Sequence, residues 1–299
     1  MPTPPTPGLC DPLGIGIRRI LAPNPSPMTL HGTNTYLVGT GDVALIDPGP
    51  NSPAHATAIM AALKPGERIS HILVTHSHID HSPLALPMAQ ALAVQVYAFG
   101  NATAGRSPEM QALADAGLVA GGEGVDVDFS PDVTLADGET LTHGDWSLTA
   151  IHTPGHLSNH LCFALGDVLF SGDHVMGWAS SLISPPDGDM AAYMASTRKL
   201  AAQSWSTLHS GHGAPVTDPA ARLAFLLDHR MAREAAILAQ LAHGPATIPT
   251  LTQTLYADTL PALHPAAQRN VLAHLLDLMA QARVTAHPAP GLSAQYSLA

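Results

Sequence analysis

At 299 residues with 46% hydrophobic side chains, the chain is long enough for one large domain, or a large domain with a small one attached. Twelve Lys and Arg against 23 Asp and Glu give a formal charge of −11, which disfavours long-range attraction to phosphate backbones or anionic membranes. The two cysteines, Cys10 and Cys162, are too few and too far apart for a disulfide framework or a thiolate metal cluster, and Cys162 reads as a small buried hydrophobe.

The opening MPTPPTPGLCDPLGIG is rich in proline and predicts a loosely ordered leader over residues 1–15. It has no basic segment ahead of an apolar one, and no run of 18 apolar residues follows. Neither a secretory signal nor a membrane span is expected, and a cytoplasmic location follows by default. TYLVGT and DVALID pair as a hairpin around Gly39 and Gly41. SPAHATAIMAALKPG predicts a helix with Ser52 as N-cap and Pro53 in its first turn. ISHILVTH is a strand that ends where histidines begin to crowd. SPLALPMAQALA reads as a helix with Ser82 as N-cap, and VQVYAFG as a further strand.

From Val125 the pattern turns to β, with turn signals at ADGE and HGD, and HLCFALGDVLFSGD is a hairpin turning at Gly166 and Asp167. A helix near DMAAYMASTRKLAAQ and a short strand ending in LHSGHG follow. After about Pro215 the composition changes to three helical stretches and two short strands, a winged-helix pattern. Strands and helices interleaved in two similar halves imply sheets covered by helices, an α/β (α+β) architecture.

The chemistry concentrates in strand-end loops. In THSHIDH, His76 and His78 lie two apart and can point the same way, whereas Asp80 and His81 follow the next turn of chain and are able to face a second metal. Imidazole nitrogen and carboxylate oxygen are the ligands that suit zinc and similar divalent ions. Further candidates end HTPGH (His156), SGD (Asp173) and SGHG (His212), each after a strand. His152, His160 and His174 neighbour these positions; each is expected to support the site, and His160 is the best of them for a substrate or leaving-group contact. Asp47, closing ALIDPG, is expected to accept a hydrogen bond from a ligand histidine. His31, His55, His71 and the C-terminal histidines read as surface or core residues.

The order HxHxDH, TPGH, SGD and GHG resembles the metallo-β-lactamase-fold hydrolases over nearly the whole chain. NPSPMTLHGTNTYLVG and the winged-helix tail are similar to the β-lactamase-like protein 2 group. The resemblance implies a four-layer αββα sandwich over 16–217 and a small winged-helix-like domain over 218–299. It implies His76, His78 and His156 on one metal, Asp80, His81 and His212 on the other, and Asp173 as the bridge, with a water or hydroxide between. Two divalent ions per chain are implied, zinc first, with iron or manganese as alternatives. Catalytic roles then fall to Asp80, which orients the attacking water, to Asp173, and to His160 at the leaving group.

Bound metal yields hydroxide at neutral pH, so hydrolysis of an ester, thioester, lactone or related small-molecule bond is the expected reaction. β-Lactamases of the commonest zinc class have cysteine where this chain has Asp173, which leaves at most a weak lactam side activity. The group also includes endoribonucleases on single-stranded RNA, and that is the runner-up. Charge disfavours it: from Pro219 onward there are five Arg, no Lys and four acidic residues. A single-iron oxygenase fits poorly with a full seven-ligand set, and an inactive structural zinc domain fits poorly without cysteines. The tail is expected to cover the cleft or to form a homodimer contact, and the loop WASSLISPPDGD, with Trp178 and Ser180 to Ser184, either lines the cleft or is a plain surface connection.

Overall fold

Two sheets face each other across a shared apolar layer. The computed structural model describes residues 5–14, 16–119 and 124–299. The first sheet runs in sequence order through β1 (Cys10–Gly14), β2 (Ile17–Leu21), β3 (Asn34–Val38), β4 (Asp42–Ile46), β5 (Arg68–Leu73), β6 (Gln95–Ala98) and β7 (Val133–Thr134). Its first four strands are antiparallel and the rest parallel. The parallel steps need crossovers, which α1 (Pro53–Ala61), α2 (Ala85–Leu92) and α3 (Pro108–Asp115) supply. The second sheet has β8 (Thr140–His143), β9 (Trp146–His152), β10 (Leu161–Leu165) and β11 (Val168–Gly172) in antiparallel succession. Beyond β11 lies β12 (Thr207–Ser210), parallel to it and reached through α4 (Met190–Ala201).

Side chains explain the layering. Tyr36, Val38, Ile46 and Leu73 from the first sheet meet Trp146, Leu148, Phe163 and Phe170 from the second. The opposite face of the first sheet buries Leu37, Leu45 and Ile72 against Ile59 of α1 and Met88 of α2. That of the second buries Cys162, Leu169 and Leu208 against Leu200 of α4 and two leucines of α5 (Pro219–Leu241). The result is helix, sheet, sheet, helix. Each fully buried Leu, Ile or Phe contributes roughly 1.5–3 kcal/mol, so these layers fix the strand ends that carry the site.

The C-terminal part pairs α5, α6 (Ile248–Leu255) and α7 (His264–Ala280) with a small sheet, in which β15 (Gln295–Leu298) lies between β13 (Ala246–Thr247) and β14 (Val284–His287). Tyr296, Val271, Leu275 and Ile237 form a separate core, which Met110 of α3 joins. No described helix is long and apolar enough to cross a membrane.

Three local expectations change. The proline-rich leader is ordered over residues 10–14 as edge strand β1, where Asp11 pairs with Arg19 at 2.5 Å; residues 1–4 and 15 lie outside the described part. Ser82 does not cap α2, because its hydroxyl instead reaches the His78 carbonyl (3.1 Å) and the Asp126 carboxylate (2.7 Å). Helix α3 goes unread in the sequence, although Ser107 caps it and Pro108 starts it. Ser52 caps α1 as expected.

Candidate metal centre

Every candidate ligand follows the carboxyl end of a strand: THSHIDH after β5, His156 after β9, Asp173 after β11 and His212 after β12. The two sheets bring these ends together. Side-chain donor atoms of His76, His78, His156 and Asp173 all lie within 4.8 Å of one another, as do those of Asp80, His81 and His212. These are two groups able to hold a metal ion.

The imidazoles are oriented by their other nitrogens. His156 Nδ1 donates to the Leu182 carbonyl (2.6 Å), and His212 Nδ1 to the Gly32 carbonyl (3.1 Å). His81 Nδ1 donates to Asp47 Oδ2 (2.9 Å). The Thr75 hydroxyl donates to the same oxygen (2.7 Å), so it accepts from His76 Nδ1 (2.9 Å). Each of these four rings therefore has a proton on Nδ1 and turns Nε2 inward, the orientation of metal-ligating histidine.

The inward atoms crowd. His78 Nδ1 lies 2.9 Å from His76 Nε2 and 3.0 Å from His156 Nε2, and at most one of those contacts can share a proton. Asp173 Oδ1 is buried with no hydrogen-bond partner. Converging lone pairs and an orphaned carboxylate oxygen are costly unless a cation lies among them. The residues present fit divalent metal, and the donor set is nitrogen and oxygen without sulfur.

Asp173 touches both groups. Its Oδ2 is 3.2 Å from His212 Nε2 and 3.8 Å from His156 Nε2, and its Oδ1 is 3.6 Å from His81 Nε2. Asp80 Oδ2 stands 3.2 Å from His212 and 3.4 Å from His81, and it accepts the Thr33 hydroxyl at 3.0 Å. Burial pushes the His78 imidazole down to about 3, with neighbouring His156 adding to the effect; burial likewise holds His76 well below its ordinary value. Burial would also lower His212, but Asp173 and Asp80 outweigh it and raise it to about 9. His81 is held well above its ordinary value because Asp80, Asp173 and Asp47 overcome the same burial. Without metal, protons on His81 and His212 balance the carboxylates.

Backbone geometry is specialised beneath the loop. Asp47 has φ 49°, the left-handed region that L side chains other than Asn and Asp rarely adopt. From there its carboxylate takes the Thr75 amide (2.7 Å) as well as Thr75 hydroxyl and His81. A Cβ on Gly211 would lie 2.3 Å from Asp173 Oδ1, so only glycine lets the His212 loop approach.

A family model described as the metallo-beta-lactamase superfamily matches residues 28–212, and one for the beta-lactamase associated winged helix domain matches residues 247–290. The chain belongs to the metallo-beta-lactamase superfamily. The thioesterase pkgB of Emericella nidulans is 34% identical over 244 residues, 80% of this chain but only 63% of that protein. The beta-lactamase-like protein 2 homolog of Drosophila melanogaster is 31% identical over 275 residues, 87% of this chain and 86% of that protein. A crystal structure of a metallo-beta-lactamase family protein from Thermus thermophilus is 26% identical with a TM-score of 0.76, covering 96% of this chain and all of that one. The chain is thus a metallo-beta-lactamase superfamily hydrolase, αββα with a winged helix appended.

All seven sequence-derived ligand candidates come together in this centre. His160 does not reach the cleft. It is fully buried beneath it, where Nε2 accepts the Asp173 amide (3.2 Å) and Nδ1 faces the Thr153 hydroxyl (2.9 Å), so no nitrogen is free for a leaving group. His174 is buried with Nε2 on Thr197 (3.1 Å), and His152 stacks on Phe99 with ring centres 3.7 Å apart. The loop after Asp173 does line the site: Leu182 and Ser184 border a narrow opening with His78, His156, Val125 and Asp187, whereas Trp178 packs beside Gly213. Sequence reasoning gave no site role to Thr33, Asn34 and Thr75, and placed Ser181 only within the stretch Ser180 to Ser184. Asn34 holds the His212 loop through the carbonyls of Ser210 (3.0 Å) and Gly213 (2.9 Å). Each of the first three lay in a motif: Thr75 opens the histidine loop, and Thr33 and Asn34 lie in NPSPMTLHGTNTYLVG.

Proposed function

We propose that the chain hydrolyses an acyl bond of a small molecule, a thioester ahead of esters and lactones, with two divalent metal ions. His76, His78, His156 and Asp173 would hold one ion, and Asp80, His81, His212 and Asp173 the other; zinc suits the donor set, as do iron and manganese. The observation that carries this reading is the Asp173 carboxylate, which lies between nitrogens of both groups. When bound, the ions supply Lewis acidity and lower the pKa of water to about 7.

The protein residues provide position and charge. Asp80 is the ligand most open to solvent, at 21% side-chain exposure, and it orients the attacking water as an acceptor. Asp47 keeps His81 in the tautomer that presents Nε2. Burial of the remaining ligands excludes bulk water from the reacting atoms. The thioester preference is supported by the 34% identity to a protein named as a thioesterase.

The RNA reading has less support. Arg222, Arg230, Arg233 and Arg269 of the tail donate to backbone carbonyls of this chain, and Arg283 pairs with Glu234 at 2.6 Å. The tail's cations are therefore spent internally, and a phosphate-tracking surface is not built from them.

The test is metal analysis of purified protein joined to a panel of acyl-thioester, ester, lactone, phosphodiester and single-stranded RNA substrates. Close to two metal equivalents and fastest turnover on a thioester are expected. One tightly held iron with oxygen-dependent activity, or RNA cleavage faster than any acyl hydrolysis, would overturn the proposal.

A further inference from the structure

The loop that follows Asp173 carries two of the contacts that aim the metal ligands. The Leu182 carbonyl accepts from His156 Nδ1 at 2.6 Å, and the Ser181 hydroxyl lies 2.5 Å from the Asp173 carbonyl and 3.0 Å from that of His174. This loop is gripped from the C-terminal helices. Arg230 of α5 donates Nη2 to the Ser181 carbonyl and Nη1 to Asn270 Oδ1 (3.3 Å). Asn270 of α7 in turn accepts the Ile183 amide through the same oxygen at 3.0 Å. Leu182, the residue that orients His156, is thus clamped on both sides. Arg222 of α5 holds the start of the loop through the carbonyls of Met176 (2.7 Å) and Ala179 (2.6 Å).

Arg230 is an expensive residue to keep. It is 1% exposed, the largest fully buried side chain described, and among the described residues no carboxylate forms an ion pair with it. Its guanidinium meets carbonyl and amide oxygens and the Tyr193 ring at 5.1 Å, while Nε has no partner. Burying a cation against neutral acceptors adds little net stability compared with an apolar side chain of the same size. The planar fork, however, is well suited to fixing two acceptors at a set separation.

We infer that Arg230 and Asn270 are positioning residues for the metal centre: by clamping Ser181 to Ile183 they set the directions of His156 and Asp173, so the winged-helix part completes the ligand geometry without supplying a ligand. This rests on the dinuclear reading above. Neither residue touches substrate or metal. A buried contact one step behind a ligand, such as the Leu182 carbonyl on His156, typically contributes about 10- to 100-fold in metal affinity. Arg230 and Asn270 act through that contact, so the lower end is expected.

The experiment measures how fast a chelator strips zinc from the full-length holo protein, with the cobalt-substituted absorption spectrum as a second readout. Arg230→Met, which fills the volume without a charge, is expected to lose metal about tenfold faster and to shift the cobalt bands while its far-UV circular dichroism stays unchanged. Arg230→Lys, with one point donor in place of the fork, should fall between. Arg283→Met, which breaks the Glu234 pair and a longer contact to Gln281, both far from the loop, should match wild type. Should Arg230→Met fail to fold, Asn270→Ala decides, with the same acceleration and band shift expected. Folded Arg230→Met or Asn270→Ala with wild-type stripping rate and spectrum would overturn the inference, even at a lower melting temperature. Wild-type protein that takes up no metal would instead sink the dinuclear reading.

Discussion

Histidines are buried in two parts of this molecule, and burial does not tell the two apart. At the candidate metal centre His76, His81, His156 and His212 each tie Nδ1 to an acceptor and turn Nε2 toward other candidate ligands. Elsewhere His55, His209 and His274 are 1%, 4% and 2% exposed, yet each has a ring nitrogen with no partner and none joins a ligand group. Burial pushes His55 and His209 down to about 4 and His274 to about 3, so they are neutral packing groups. Four of the five candidate ligand histidines are therefore marked by a pinned far nitrogen together with convergence of the near one, and His78 by convergence of Nδ1 alone. Depth alone marks only a core histidine.

That distinction can be broken by substitution. The largest effect is expected from Asp173→Ala, since Asp173 touches both groups: both metal equivalents should vanish and turnover fall by roughly a thousandfold or more. One equivalent retained with only a few-fold loss, read by elemental analysis and steady-state kinetics, would refute the bridging role. Next, His156→Ala and His212→Ala should each remove about one equivalent, from different groups. Loss of both ions from either single variant would mean the groups are not separable. His160→Gln should lower metal affinity about tenfold by disturbing the Asp173 amide, with KM unchanged because His160 lies under the cleft. A raised KM with metal content intact would restore it to the substrate.

The smallest effect concerns the packing histidines and pH. Their folded-state pKa values lie below the unfolded value of about 6.5, so the unfolded chain binds protons that the folded one refuses. Stability from this source is fully present above about pH 6.5 and is lost as pH falls toward about 4, then about 3, by up to roughly 1.4 kcal/mol per pH unit for each group. Denaturant midpoints of metal-free protein between pH 7 and 4 should trace this loss, and His274→Leu should flatten it. An unchanged slope in that variant would show that His274 does not contribute.

What was legible follows from locality. The seven ligand candidates sit in short motifs at strand ends, and strand ends are readable because apolar runs stop there at turn residues. The αββα layering follows from the same runs. The role of His160 was not readable: four residues from His156, it could point into the cleft or under it, and strand β10 takes it under. Ser82 resembled a cap until Asp126, 44 residues away, claimed its hydroxyl. The grip of Arg230 and Asn270 on the cleft loop spans 49 and 87 residues and leaves no local pattern. Edge strand β1 was hidden because proline content suggests disorder, whereas an edge strand tolerates proline on its unpaired side.

Asp47 sets a compromise at a single position. Its left-handed backbone is a conformation that glycine adopts without strain and that a non-glycine residue holds at a cost of about 1–3 kcal/mol. Replacement by glycine would relax the chain and, in the same stroke, remove the acceptor under Thr75 and His81. The strain relieved is offset by the buried Thr75 amide and hydroxyl, which would be left without an acceptor at a cost of about 1–3 kcal/mol. A substitution scan scored twice, for thermal midpoint and for bound metal, is expected to show little net change in midpoint for Asp47→Gly and a clear loss of metal. Thermal midpoint alone would therefore pass over a position on which the His81 orientation depends.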